Sequence, residues 1–215
     1  MNKLTILAAA SLLALAGGAQ ATTVDVSFDS VDDADGNPTT TVEGASVFDF
    51  GSGGQCSKPA GYSGDGGVVT GSVGGKYAAP AGDTTCYLTV ALNSSGGTET
   101  FDAGGDFNYF GLFWGSMDSY NTLSFYSDGE LVASFTGSQV VAFGNADGNQ
   151  VQDRTNRYVN FFFTDGTFDT VKFITTGYAF ESDNHAIARV PEPGTLALLG
   201  LGLIGMGFAR RRTTA

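Results

Sequence analysis

An all-β fold, an antiparallel β-sandwich of jelly-roll type, is the class this sequence predicts, and three observations predict it. No long stretch repeats its apolar residues every 3.6 positions. Short runs rich in Val, Thr, Phe and Tyr recur instead, each bounded by Gly, Asp or Asn. The composition agrees, with 32 glycines, 17 phenylalanines and only 15% charged residues among 215. Aromatic strands joined by tight turns give such numbers, whereas a disordered chain lacks the aromatics. The length suits one sandwich with a short segment at either end, and no internal repeat is visible. Residues 1–21, 22–189 and 190–215 are the three parts.

The first part begins with Met1, Asn2 and Lys3, followed by an apolar run from Leu4 to Ala16. Ala19 and Ala21 are the small residues that signal peptidase accepts, which places cleavage after Ala21. The run is too short for a permanent span and reads as a signal helix.

In the middle part the expected strands are Thr23–Phe28, Val42–Phe50, Gly67–Ser72, Thr85–Leu92, Thr98–Phe101, Phe107–Trp114 and Thr122–Ser127. Glu130–Thr136, Gln139–Phe143, Arg157–Thr164, Phe168–Thr175, Tyr178–Glu181 and His185–Arg189 complete the set. Asp128-Gly129 supplies the positive φ angles of a two-residue hairpin turn, with Leu123, Phe125, Leu131, Ala133 and Phe135 on one face. Asp165-Gly166 predicts a second hairpin, with Phe161 and Phe163 facing the core beside Val171 and Phe173. Phe107–Trp114 is apolar on both faces, as expected of a central strand covered on both sides.

Between Thr22 and Val190 six Lys and Arg stand against 21 Asp and Glu, a balance of −15. Such a surface repels phosphate backbones and excludes nucleic acid as a partner. Cys56 and Cys86 both lie in the exported part, where an even count reads as one disulfide. Closing that loop stabilises the fold by roughly 3–4 kcal/mol in the chain-entropy picture.

The last part reads Val190-Pro191-Glu192-Pro193, then an apolar run from Thr195 to Ala209, then Arg210, Arg211 and Arg212. Prolines around Glu192 hold an extended link. The apolar run, interrupted by glycines at 200, 202, 205 and 207, rises about 22 Å as a short transmembrane helix, less than the ~30 Å hydrocarbon core. The Arg cluster is a cytoplasmic anchor. In these parts and their order the tail resembles the PEP-CTERM sorting signal of Gram-negative bacteria. The resemblance implies recognition by exosortase, a membrane-embedded transpeptidase, with processing near Pro191, Glu192 and Pro193. It also implies brief inner-membrane association and then delivery to the cell surface or extracellular polymer. Three blocks, Lys76–Val90, Phe110–Tyr126 and Ala179–Asn184 (AFESDN), are similar to a subgroup of exosortase-dependent surface proteins. The usual apolar residue within the last block is Ser182 here.

Chemistry-bearing motifs are few. His185 is the single histidine, and no G-x-S-x-G elbow, P-loop or HExxH occurs, so catalysis is not expected. A carboxylate pair for glycoside hydrolysis ranks third among the readings, since sequence spacing says nothing of separation in space. No cofactor is implied, though calcium is compatible with the oxygen-rich stretch from Asp29 to Asn37. There Asp33 and Asp35 fall at EF-hand positions three and five, but Val31 and Val42 occupy positions one and twelve. An Asx-rich turn explains the same residues. Trp114, Asp118, Tyr120 and Asn121 surround one turn and form a candidate glycan site, an aromatic platform with hydrogen-bonding partners. The alternative is that Trp114 is core and the others build the turn. A structural or adhesive surface role comes first, a module binding extracellular polysaccharide second.

Overall fold

The computed structural model describes residues 22–191 apart from 52, 94 and 142–144. The expected signal and tail helices, with Ala19, Ala21, Glu192, Pro193 and Arg210–Arg212, lie outside the described residues. Among the described residues no helix is long and apolar enough to cross a membrane.

The strands in chain order are β1 (Val24–Ser27), β2 (Val31–Asp32), β3 (Pro38–Thr39), β4 (Ser46–Phe48), β5 (Tyr62–Gly64), β6 (Gly66–Val69) and β7 (Tyr87–Val90). They continue with β8 (Gly97–Phe107), β9 (Tyr109–Gly115), β10 (Asn121–Ser127), β11 (Glu130–Thr136), β12 (Arg157–Phe163), β13 (Phe168–Thr175) and β14 (Phe180–Ala188), with one short helix, α1 (Gly137–Val141). Two antiparallel sheets pack face to face, as expected. The larger runs β1-β12-β9-β14-β7-β6 with β4 also on β14, the smaller β11-β10-β13-β8-β5, and β2-β3 form a separate ribbon.

The core between the sheets is aromatic. Phe110, Trp114 and Phe161 of the larger sheet meet Phe125, Phe168 and Phe173 of the smaller. Phe110 packs edge-on to Phe125 with centroids 5.7 Å apart, and Trp114 stacks on Phe180 at 4.5 Å. Such pairs contribute about 0.5–1.5 kcal/mol each beyond the area they bury. The Cys56–Cys86 disulfide is present and ties the loop after β4 to the start of β7.

Four expectations need correction. Thr136 and Gln139 exchange hydrogen bonds in a capping box that starts α1, where a strand from Gln139 was expected. β12 and β13 lie in different sheets, so Asp165-Gly166 is a crossover between layers and not a hairpin; Phe161, Phe163, Val171 and Phe173 nevertheless all face the core. The Asp128-Gly129 turn has the positive φ angles expected, 51° and 82°. A bulge then pairs Tyr126 with Leu131 after Phe125 with Ala133, and leaves Leu131 57% exposed. Finally, Tyr178–Glu181 and His185–Arg189 belong to one strand, β14, broken by a bulge at Asn184 and His185.

That bulge organises the outer face of the larger sheet. Asn184 takes a left-handed φ of 47°, and β14 offers one edge to β9 and the other to β7 (Phe180–Ser182) and β4 (His185–Ile187) in succession. Ser182 lies opposite Trp114 and faces inward, whereas Glu181 and Asp183, opposite Gly115 and Phe113, face outward. The outer face is covered in turn by β2-β3 and by residues 78–85. Gly115 is required there, because a Cβ on it would meet Pro80 at 2.7 Å.

Candidate functional site

Outward-facing Glu181 forms the floor of an open cleft of about 320 Å³. Its Oε1 accepts from the Ala78 amide at 2.9 Å and its Oε2 from the Ser116 hydroxyl at 2.9 Å. Burial nevertheless pushes its carboxyl up to about 8 against those two bonds. Tyr77, Tyr120 and Tyr178 line the walls with Asp118 and Asp147. The Tyr120 hydroxyl donates to Asp118 Oδ2 at 2.6 Å, and burial also raises Asp118 from its ordinary value. Asp147 differs: a hydrogen bond from Arg154 at 2.7 Å holds it below its ordinary value. Gly148 must lack a side chain, since a Cβ would lie 2.6 Å from the Asp118 carboxylate. Tyr178 is the most open of the three tyrosines, 56% exposed.

This arrangement divides the glycan residues expected from sequence. Trp114 is fully buried and offers no face to a ligand. Its stacking on Phe180 makes it core, which corrects its place in the candidate platform. Asn121 is likewise buried, its amide donating to the Ala179 carbonyl at 3.3 Å. Asp118 and Tyr120 do reach the cleft. Sequence reading missed Tyr77, Tyr178 and Glu181, although Lys76–Val90 and AFESDN contain two of them. For Glu181 a signal was present: Glu181 and Asp183 stand two residues apart in one strand, which places both carboxylates on the same face.

His185 lies within β14. It is fully buried, stacked on Phe173 with centroids 4.7 Å apart, and bonded through Nδ1 to the Tyr62 hydroxyl (2.7 Å) and through Nε2 to Ser182 Oγ (2.9 Å). Burial lowers it to about 3, so it is neutral. Ser182, replacing an apolar residue in its block, is thereby paired inside the core.

Asp33 and Asp35 form the Asx turn and no EF-hand. Asp33 Oδ1 accepts from the amides of Asp35 and Asn37, each at 2.9 Å. Among the described residues no three His, Cys, Asp or Glu side chains gather at metal-binding spacing.

β14 runs directly to the exit of the fold. The Val190 amide donates to Asn108 Oδ1 and its carbonyl accepts from Asn108 Nδ2, both at 2.7 Å. Arg189 Nε donates to the Asp106 carbonyl at 2.6 Å. Pro191, the next residue, is exposed.

The disulfide-linked antiparallel sandwich thus runs through its central strand, β14, directly to an exposed Pro191. Residues 189–212 match the family model described as PEP-CTERM protein-sorting motif. The tail of the chain therefore carries a PEP-CTERM protein-sorting signal, a motif that implies processing by exosortase. No curated protein matches it. Among solved structures, one titled "CpGH89CBM32-6 produced by Clostridium perfringens" is similar at 13% identity and a TM-score of 0.32, covering 59% of this chain and 94% of that one.

Proposed function

We propose that the protein is an adhesive component of the cell surface or extracellular polymer, and that it adheres by holding a glycan in the Glu181 cleft without catalysis. The cleft carries this reading. Three tyrosines in its lining offer apolar contact to sugar C–H groups, and Asp118, Asp147 and Glu181 offer acceptors to hydroxyls. The surrounding negative charge favours a neutral or amino-sugar polymer over an anionic one. Both Glu181 oxygens accept from the protein's own donors, which fixes the carboxyl group in place as the floor of the cleft. Exosortase processing near Pro191 sets the domain free, and the Asn108 clamp on Val190 keeps β14 in place when the tail leaves. The intact mass of secreted protein, lacking Arg210–Arg212, reads that step.

Titrating the secreted protein with the producer's own exopolysaccharide and with neutral and chitosan oligosaccharides tests the binding. Tyr178→Ala is expected to weaken binding about tenfold, the loss of one aromatic contact of ~1.4 kcal/mol, without changing the unfolding midpoint. Equal affinity in folded Tyr178→Ala and Asp118→Asn proteins removes the cleft from the account, and release of reducing ends would show a hydrolase.

A further inference from the structure

A second group of acids lies on the same outer face, where the 78–85 cover meets β14. Asp183 and Asp83 are both almost wholly buried, 1% and 6% exposed. Thr85 Oγ1 lies between them, 2.6 Å from Asp83 Oδ1 and 3.4 Å from Asp183 Oδ2. A hydroxyl has one proton, and the shorter contact takes it. Asn37 Nδ2 donates to the same hydroxyl at 2.8 Å, which occupies a lone pair. Asp183 Oδ1 and Asp83 Oδ2 remain without any hydrogen-bond partner, as does the buried hydroxyl of Thr39 on β3. β3 is held to this place because Asn184 Nδ2 reaches the Pro38 carbonyl at 3.2 Å and Asp33 Oδ2 at 2.6 Å.

No basic side chain answers this charge. The ion pairs among the described residues are Lys58–Glu99 and Arg154–Asp147, neither of which involves Asp83 or Asp183. Two neighbouring buried carboxylates with unpartnered oxygens and no cation are among the most costly arrangements a fold can hold. A small, hard, positively charged ligand removes that cost.

We propose that Asp83 and Asp183 bind a calcium ion through Oδ2 and Oδ1, with neutral oxygens and water completing the shell. All the free donors are oxygens, as hard cations require, and nitrogen or sulfur ligands are absent from the pair. With two carboxylates the affinity belongs to the weak range of extracellular modules, Kd about 10⁻⁴–10⁻³ M, which suits an exported protein. Bound there, the ion ties the 78–85 segment to β14 and the β2-β3 ribbon, so it orders one wall of the cleft. The site differs from the Asp33–Asp35 loop, whose carboxylates serve the turn or Asn184.

Secreted protein stripped with EDTA and melted at pH 7.5 with CaCl₂ or MgCl₂ reads the proposal. Calcium at ten times Kd is expected to raise Tm by roughly 3–6 °C, with a smaller response to magnesium. Asp183→Asn, isosteric and uncharged, folds without metal and loses the calcium response. Asp35→Asn keeps it. Three results overturn the assignment: no response in the wild-type protein, which makes the pair proton-neutralised; an unaltered response in Asp183→Asn; or an equal response to magnesium.

Discussion

The two faces of β14 are equally buried from Phe180 to Ala188, yet they follow different chemistry. Inward, Ser182, His185 and Ile187 join the aromatic core, and the polar atoms pair with one another and with Tyr62. Outward, two residues apart, Glu181 and Asp183 bring carboxyl groups under cover where burial pushes both up to about 8; for Asp183 its neighbour Asp83 adds to that push. Trp114 Nε1 is an unpaired exception on the inner side, but it is a neutral donor and costs far less than a charge. Burial alone therefore does not define a core. Where polar groups are paired the face gives stability, and where carboxylates are left unpaired it subtracts stability and calls for a ligand.

Removing inner-face packing should break the fold hardest. Trp114→Ala is expected to cost about 3–5 kcal/mol, seen as a lower urea midpoint, and a loss under about 1 kcal/mol would show that Trp114 is not core. The outer face should instead reveal itself through pH. Glu181 has a folded value above its ordinary one, so its neutral form is favoured on folding. Stability is full below the unfolded value of 4.5 and falls as pH rises towards about 8. In EDTA, in an Asp183→Asn background that silences its neighbour, adding Glu181→Gln should abolish a fall on the order of 3 kcal/mol between pH 5 and 8. Equal slopes with and without Glu181 would remove the pH argument. At the small end, Leu131→Ser should change stability by less than about 0.5 kcal/mol, because the bulge has turned Leu131 to solvent. A loss above about 1 kcal/mol would restore the unbulged register expected from alternation.

The same contrast explains what was legible in the sequence. Alternation and turn residues suffice where one face is apolar, so β10, the Asp128-Gly129 turn and the all-buried β9 were readable. The bulge was not, since one extra residue costs little in sequence yet reverses Leu131. Asp165-Gly166 has hairpin chemistry, but a turn motif does not say whether the strands it joins share a sheet. α1 was missed because its five residues are apolar enough for a strand and only the Thr136/Gln139 box marks it. For the candidate site, Asp118 and Tyr120 were found from their turn, while Glu181, Asp83 and Asp183 converge only through the register of β14 and the path of residues 78–85. Long-range register has no local signature. The tail is the opposite case: its signal is linear, and Val190–Arg212 can be read without any fold.

The central claim is that the outer face of the larger sheet is the binding face. Backbone amide chemical shifts of the secreted protein, followed while calcium and then a binding oligosaccharide are added, test it most directly. The account predicts calcium-induced changes centred on Asp83, Thr85 and Asp183, and sugar-induced changes centred on Tyr77, Tyr120 and Tyr178. Changes centred instead on the exposed side of β11 and β13, around Leu131 and Asp169, would contradict it.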